Sequence, residues 1–108
     1  MSPADFRRIA LSLPEASERA HMNHPDFRIG GKIFVTLGYP DKDHGMVVLT
    51  PEEQARLLQS HPKVFSPAKG AWGRRGSTCV LLGAVDSTTL RKAMTAAWRK
   101  RAPKHLVK

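Results

Sequence analysis

The clearest alternation of apolar and polar positions lies just before the middle of the chain. Ile33, Val35 and Leu37 recur at every second position, which is the period of a β-strand with two unlike faces. The segment 38–45 combines a proline, two aspartates and two glycines, a composition typical of a turn. The short apolar run 46–49 can then pair back on the first strand. The pattern therefore predicts two antiparallel strands joined by a turn.

Two segments, one near each end of the chain, repeat apolar residues with the spacing of an α-helix. The first begins with a serine and a proline, and Pro14 ends it. The last begins at Asp86 or Ser87 and ends before Pro103. Their apolar stripes consist of Phe6, Ile9, Ala10 and Leu13, and of Leu90, Ala93, Met94, Ala97 and Trp98. Because both stripes are wide, we predict that the two helices pack side by side on one sheet face, with Trp98 in the core.

A further helix is predicted directly after the two strands. Thr50 can accept the backbone N–H of Glu53 while the Glu53 side chain reaches back to the cap, and a proline occupies the first helical position. This capping box predicts a helix over residues 51–60, with Ala55, Leu58 and also Leu57 as candidates to face the core.

The remaining segments give weaker signals. Segment 15–25 alternates enough to permit a mostly polar strand, and residues 27–29 form a short extended segment. Gly30-Gly31 then allows a tight hairpin into the strand at 32–37, so we expect a meander. Segment 63–76, with two proline or glycine clusters, is either an ordered loop or a twisted, partly paired strand. Segment 77–84 alternates clearly and predicts a strand.

The order of these elements predicts an α+β fold with an antiparallel sheet. Strands that follow one another through short turns pair antiparallel, and the first and last helices should cover one face of the sheet. A chain of 108 residues without a linker or an internal repeat forms a single domain, residues 1–108. We expect residues 104–108 to be a frayed tail.

The charge is distributed unevenly along the chain. The net charge is +9, but residues 1–53 hold 6 Lys or Arg against 8 Asp or Glu, and residues 54–108 hold 12 against Asp86 alone. A basic half of this kind attracts a polyanion such as nucleic acid, an anionic membrane surface or an acidic protein. The same charge also fits a simple role in solubility.

Other features of the composition exclude several classes of protein. A single cysteine, Cys79, excludes an intramolecular disulfide and a multi-cysteine metal site, and we predict that it is buried as a small hydrophobe. No apolar run approaches the roughly 18 residues of a membrane span. The first residues include an early acid and no apolar segment of a signal peptide, so we expect a cytoplasmic protein.

Basic residues with few acidic neighbours form the strongest candidate site. Glycines in the segment 70–76 would let the backbone approach a ligand, and arginine offers forked donors that match phosphate oxygens. Trp72 either anchors this loop in the core, which is the commoner role of tryptophan, or stacks on a base if it is exposed. The candidate nucleic-acid-binding residues are Lys69, Trp72, Arg74, Arg75, Lys92, Arg99, Lys100, Arg101 and Lys104.

No set of residues indicates catalysis, a cofactor or a metal. His21 and His24 are three positions apart and would face opposite sides of a strand, so we expect no metal site there. The sequence has no phosphate-binding loop, dinucleotide fingerprint, nucleophile elbow or paired carboxylates. We therefore expect a protein that is not an enzyme and needs no cofactor.

Several short motifs, taken in order, resemble the MmcQ/YjbR family of small bacterial proteins over about residues 3–104. The matching segments are Leu13–Glu15, His24–Phe34, Thr50–Glu53, Ala71–Gly76 and Ala97–Lys104. The resemblance implies a fold similar to CyaY/frataxin, an antiparallel sheet backed by helices. It also implies the "double wing" DNA-binding role described for such proteins, with no assigned reaction.

The charge and the resemblance together predict a protein that binds nucleic acid, most simply DNA, through phosphates and with little sequence specificity. One alternative is an interaction module for an acidic protein. Another is a small-ligand binder with a pocket between sheet and helices near Tyr39, Phe65 and Trp72. The sequence leaves the oligomeric state open.

Overall fold

A computed structural model describes residues 1–107 of the chain. The elements are α1 (Pro3–Leu11), β1 (Ser17–His21), β2 (His24–Ile29), β3 (Lys32–Leu37), β4 (His44–Val48), α2 (Pro51–Ser60), β5 (Phe65–Pro67), α3 (Gly70–Arg74), β6 (Ser77–Leu81) and α4 (Ser87–Arg101), followed by a 3₁₀ turn at Lys104–Leu106. The capping box of α2 forms as the sequence predicts, with Thr50 accepting from the Glu53 amide at 3.1 Å, and α1 also begins with a capping box, of Ser2 and Asp5.

The six strands form one antiparallel sheet in the order β1-β2-β3-β4-β6-β5. The first four strands are successive hairpins, and β6 then inserts between β4 and β5. Gly30 and Gly31, with φ of 59° and 78°, make the predicted tight turn between β2 and β3. The α+β class with an antiparallel sheet is therefore confirmed.

One face of the sheet is covered by α1 and α4, and the main core lies there. Both helices pack on β3, and they also contact each other. Trp98 is 6% exposed, and its Nε1–H donates a 2.9 Å hydrogen bond to the carbonyl oxygen of Pro14. The side-by-side packing of the first and last helices is confirmed, and Trp98 joins their interface.

The opposite face, which we call the outer face, carries neither of these long helices. Its central row runs across four strands, from Asp26 to Thr36, Met46 and Cys79, each directly opposite the next. Cys79 is buried as predicted, in a small cluster with Met46 and Ala68, and burial raises the pKa of its thiol. The outer face is thus only partly closed, and α3 lies beside it.

Two local predictions need correction. Segment 63–76 is not a loop or a single twisted strand, because it contains the short strand β5 and the helix α3. On α2 the buried residue is Gln54, whereas Ala55 is exposed. The tail contains a 3₁₀ turn at Lys104–Leu106, and Leu106 and Val107 pack on the core. Lys108 lies outside the described residues.

Candidate nucleic-acid interface

The helix α3 is held in place by glycines that allow close backbone packing. A Cβ on Gly73 would lie 1.8 Å from the carbonyl oxygen of Ala68, and one on Gly76 would lie 1.9 Å from that of Leu49. Gly76 also has φ of 116°, a conformation that favours glycine. The idea that these two glycines let a ligand approach is wrong, because both positions are filled by the protein's own backbone.

A buried glutamine on α2 fixes the C-terminal end of α3 and the start of β6. The Nε2 group of Gln54 lies 3.0 Å from the carbonyl oxygen of Gly73 and 3.0 Å from that of Ser77. It also lies 3.1 Å from the hydroxyl of Thr78. The sequence pattern missed this residue, since a polar side chain on a predicted amphipathic helix is expected to face solvent.

Trp72 projects from α3 and is 57% exposed. Its predicted role as a core anchor is therefore wrong, and the physical reason lies in its neighbour. Gly73 is the residue of α3 that packs against the protein, so the adjacent position on this one-turn helix faces away from it. The exposure leaves an indole free for contact with a ligand.

Trp72 forms one wall of a groove on the outer face. Two adjoining cavities of about 180 and 210 Å³ share the lining residues His21, Thr36, Met46 and Trp72. The first is completed by Met22, His24 and Tyr39, and the second by Ile33, Val48, Ser77 and Arg101. We call the two together the outer-face groove. It contains Tyr39 and Trp72 from the predicted ligand pocket, but Phe65 is buried in the helix-side core.

A charged network lies at the β1–β2 side of this groove. The carboxylate of Asp26 is fully buried and accepts hydrogen bonds from Arg28 Nε at 2.7 Å and Arg28 Nη2 at 3.1 Å. The hydrogen bond from Arg28 lowers the pKa of Asp26 most, and the one from His21 lowers it less. Together they hold the pKa below its ordinary value, although burial acts to raise it. The carboxylate is therefore ionised at neutral pH, and it accepts the Nδ1–H of His21 at 2.7 Å.

The two histidines beside this network do not face opposite sides of a strand, and that prediction is wrong. Met22 and Asn23, with φ of 49° and 68°, form a two-residue turn, so His21 and His24 stand directly opposite each other. Their ring centroids are 6.4 Å apart. Within residues 1–107 no group of three His, Cys, Asp or Glu side chains is placed to hold a metal.

The structure divides the predicted basic residues between two surfaces. Trp72 and Arg101 line the outer-face groove. Lys92 and Arg99 line a different groove, of about 530 Å³, between α2 and α4 on the helix-covered side, where Glu53 also lies. The other members are exposed; they are Lys69, Arg74, Arg75, Lys100 and Lys104. The nine residues therefore do not form one continuous site.

None of the eight basic side chains in this set has an acidic partner within 4.0 Å among residues 1–107. By contrast, Arg7 pairs with Glu18 at 2.8 Å and Arg8 pairs with Asp5 at 3.1 Å. The Nε of Arg101 is buried and has no hydrogen-bond partner in the same part of the chain. Cations without partners remain available to an anionic ligand.

A family model described as YjbR matches residues 11–100. The chain belongs to the YjbR family. Two solved structures show the fold of this YjbR-family chain. The Deinococcus radiodurans protein DR2400, described with a DUF419 domain, matches with a TM-score of 0.76 and 18% identity over 92% of this chain and 77% of its own. A Pseudomonas syringae protein matches with a TM-score of 0.70 and 13% identity over 94% of this chain and 99% of its own.

At these identities the two structures support the fold alone. The curated proteins contain no match to this YjbR-family chain. In the described part of the chain, none of the helices has the length and apolar character needed to cross a bilayer.

Proposed function

We propose that this YjbR-family protein binds nucleic acid, DNA in the first instance, through the outer-face groove and the adjoining helix α3. The observation that carries the proposal is the exposed Trp72, which lies in a segment whose cations Lys69, Arg74 and Arg75 have no acidic partners in the described chain. An exposed aromatic ring beside basic side chains is the usual combination for binding a nucleic-acid strand.

In this proposal the two kinds of residue have separate roles. The basic side chains contact phosphates, which give affinity without sequence readout, and Trp72 stacks on a base. Lys92, Arg99, Lys100 and Lys104 add a positive field that attracts the polyanion. The role is one of binding without catalysis, and a cytoplasmic location is part of the proposal.

Fluorescence anisotropy with dye-labelled DNA at low salt tests the proposal. Arg74→Gln combined with Arg75→Gln should weaken binding by about 10-fold or more, because two cations that contact phosphates are removed. Arg7→Gln combined with Arg8→Gln is the matched control, since it removes the same charge from arginines that are already paired with acids. Wild-type protein that does not bind DNA would contradict the proposal, and so would an equal weakening by the two double variants.

Binding to an acidic protein would share the charge requirement but not the need for an aromatic ring. Adding Trp72→Phe and Trp72→Ala to a titration of dye-labelled single-stranded DNA separates the two possibilities. Under the nucleic-acid proposal the phenylalanine variant retains most of the affinity and the alanine variant does not, because stacking needs a π-face.

A further inference from the structure

We propose that the outer-face groove holds one unpaired nucleotide of a strand, with the base in the cavity beside His24 and Tyr39 and its phosphate at Arg101. The inference rests on the proposed function and deepens it, because it names a single-stranded segment as the preferred ligand.

The size and shape of the first cavity suit one base. Its volume of about 180 Å³ equals that of about six waters at roughly 30 Å³ each, enough for a single heterocycle but too small for a base pair. The cavity is bounded by the β1–β2 turn on one side and by α3 on the other. A base in a duplex would have to leave its stack to enter it.

The walls of this cavity are aromatic and sulfur-containing. Trp72 stands at one side, and His24 packs edge-on against Tyr39 with their ring centroids 5.9 Å apart. Met46 is buried in the sheet below, and Met22 at the tip of the hairpin is 87% exposed. Flat rings and thioethers make favourable contacts with the π-face of any base, so such walls bind without choosing a sequence.

The polar groups of the cavity match the edge of a base. The ionised Asp26 holds the Nδ1–H of His21, so Nε2 is the free ring nitrogen, and in the neutral imidazole it accepts a hydrogen bond. The hydroxyl of Thr36, on the adjoining strand, can donate or accept. The N–H groups on the edge of a base therefore have acceptors in the cavity.

The second cavity offers a place for the phosphate. Arg101 lines it, has no acidic partner within residues 1–107, and has a buried Nε without a hydrogen bond. The guanidinium fork matches two phosphate oxygens. The two cavities share four lining residues and therefore adjoin. One nucleotide can then place its base in the first cavity and its phosphate in the second.

The test compares three probes on the folded full chain: a single-stranded oligothymidylate, a duplex of the same length, and deoxythymidine monophosphate. Wild-type protein should bind the single strand more tightly than the duplex. Trp72→Ala should weaken single-strand binding by about 10-fold or more, the scale of base stacking, and change duplex binding by less than about 2-fold. Thermal melting of each variant verifies that it remains folded.

Arg101→Gln is the second variant, and Arg91→Gln is its control, since Arg91 lies on the same helix but lines the groove between α2 and α4. Arg101→Gln should weaken single-strand binding several-fold, and Arg91→Gln should change it by less than about 2-fold, because a single charge away from the bound strand acts only through the screened field.

The outcomes separate this inference from the proposed function. If the protein binds neither the single strand nor the duplex, the proposed function itself fails. If it binds DNA but Trp72→Ala weakens both probes equally, the groove inference fails and the proposed function stands. If Trp72→Ala weakens neither probe, the stacking role of Trp72 fails in both proposals. If deoxythymidine monophosphate binds as tightly as the oligomer, the groove takes a free nucleotide and its assignment to a strand is overturned.

Discussion

Trp72 and Trp98 show how differently this chain uses the same side chain. Trp98, on α4, is buried in the main core, and its ring N–H donates to the Pro14 carbonyl just after α1. Trp72 lies on the opposite side of the sheet and is mostly exposed. The first ring contributes to folding, whereas the second is available for binding.

Replacing Trp98 by alanine should lower the free energy of unfolding by about 3–5 kcal/mol, the usual cost of truncating a buried aromatic side chain. Trp72→Ala should change it by less than about 0.5 kcal/mol, as at most exposed positions. Urea denaturation followed by circular dichroism measures both. Similar decreases in the two variants would show that Trp72 is packed more tightly than its exposure indicates.

Asp26→Asn should lower the free energy of unfolding at pH 7 by about 1–3 kcal/mol, because Arg28 and His21 lose an ionised hydrogen-bond partner. The folded state keeps the pKa of Asp26 below its ordinary value of 3.8. The stabilisation by the Asp26 carboxylate is therefore fully present above about pH 4. It is lost as the pH falls through the pKa of the folded state, because the unfolded chain binds the proton more readily.

Urea denaturation between pH 3 and pH 7 measures this effect, and the Asp26→Asn curve should be flatter than the wild-type curve over the acid range. Asp41→Asn is the control, since Asp41 also has a lowered pKa, through His44, but lies at the surface. A larger stability loss from Asp41→Asn than from Asp26→Asn at pH 7 would contradict the interpretation of the buried network.

The exposure of Trp72 and the burial of Gln54 could not be predicted from the sequence. Both depend on which side of a short helix meets the rest of the protein, and that is decided by packing between residues far apart in the chain. The role of Trp98 was predictable because five apolar residues repeat with helical spacing along α4.

At the scale of elements, α3 is the part of the structure that sequence patterns describe least well. It is a single turn with a glycine inside it, so its local helix propensity is poor. Its position comes from Gln54 and from close backbone packing at Gly73. The helix α2 and the β2–β3 hairpin were predictable, since a capping box and a Gly-Gly turn are local signals.

The position of the β1–β2 turn was missed for a related reason. Its turn residues Met22 and Asn23 both adopt positive φ, and neither is glycine. A sequence pattern assigns such a conformation to methionine only rarely. The pairing of His21 with Asp26, and with it the polar side of the groove, was missed as a consequence.

Gly73→Ala should displace α3 and lower the free energy of unfolding by about 1–3 kcal/mol, the usual cost of overpacking. The added methyl group would meet the Ala68 carbonyl oxygen, which belongs to the backbone and cannot move aside freely. Gly83→Ala is the control, because its added methyl group meets nothing within 4 Å among residues 1–107. Thermal melts compare the two, and equal melting temperatures would contradict the close packing of α3.

At the scale of the whole molecule, the basic charge is divided between two faces. Arg74 is the last residue of α3 and Arg75 caps it, whereas Lys92 and Arg99 line the groove between α2 and α4. The excess of charge was evident from the sequence, but its division was not, since that depends on how α4 lies against the sheet. A polyanion bound at one face therefore meets only some of these residues.

For duplex DNA, neutralising about 4–6 phosphates should make the logarithm of the association constant fall against the logarithm of salt concentration with a slope of roughly −4 to −5. Reversing the charge at Arg74 and Arg75 should flatten that slope by about one for each phosphate that the variant no longer neutralises. Reversal at Lys92 and Arg99 should flatten it less, because they lie on the other face. Anisotropy titrations over a range of salt concentrations measure the slopes, and equal effects of the two reversals would indicate a diffuse field.

The insertion of β6 between β4 and β5 sets the order in which the sheet can be completed. During synthesis the four-stranded meander emerges first, and the edge of β4 stays unpaired until residues 77–81 leave the ribosome. Four of the five residues of β4 are buried in the finished protein. A nascent or truncated chain that stops before residue 77 therefore presents an apolar open edge, the kind of surface on which strands of different molecules associate.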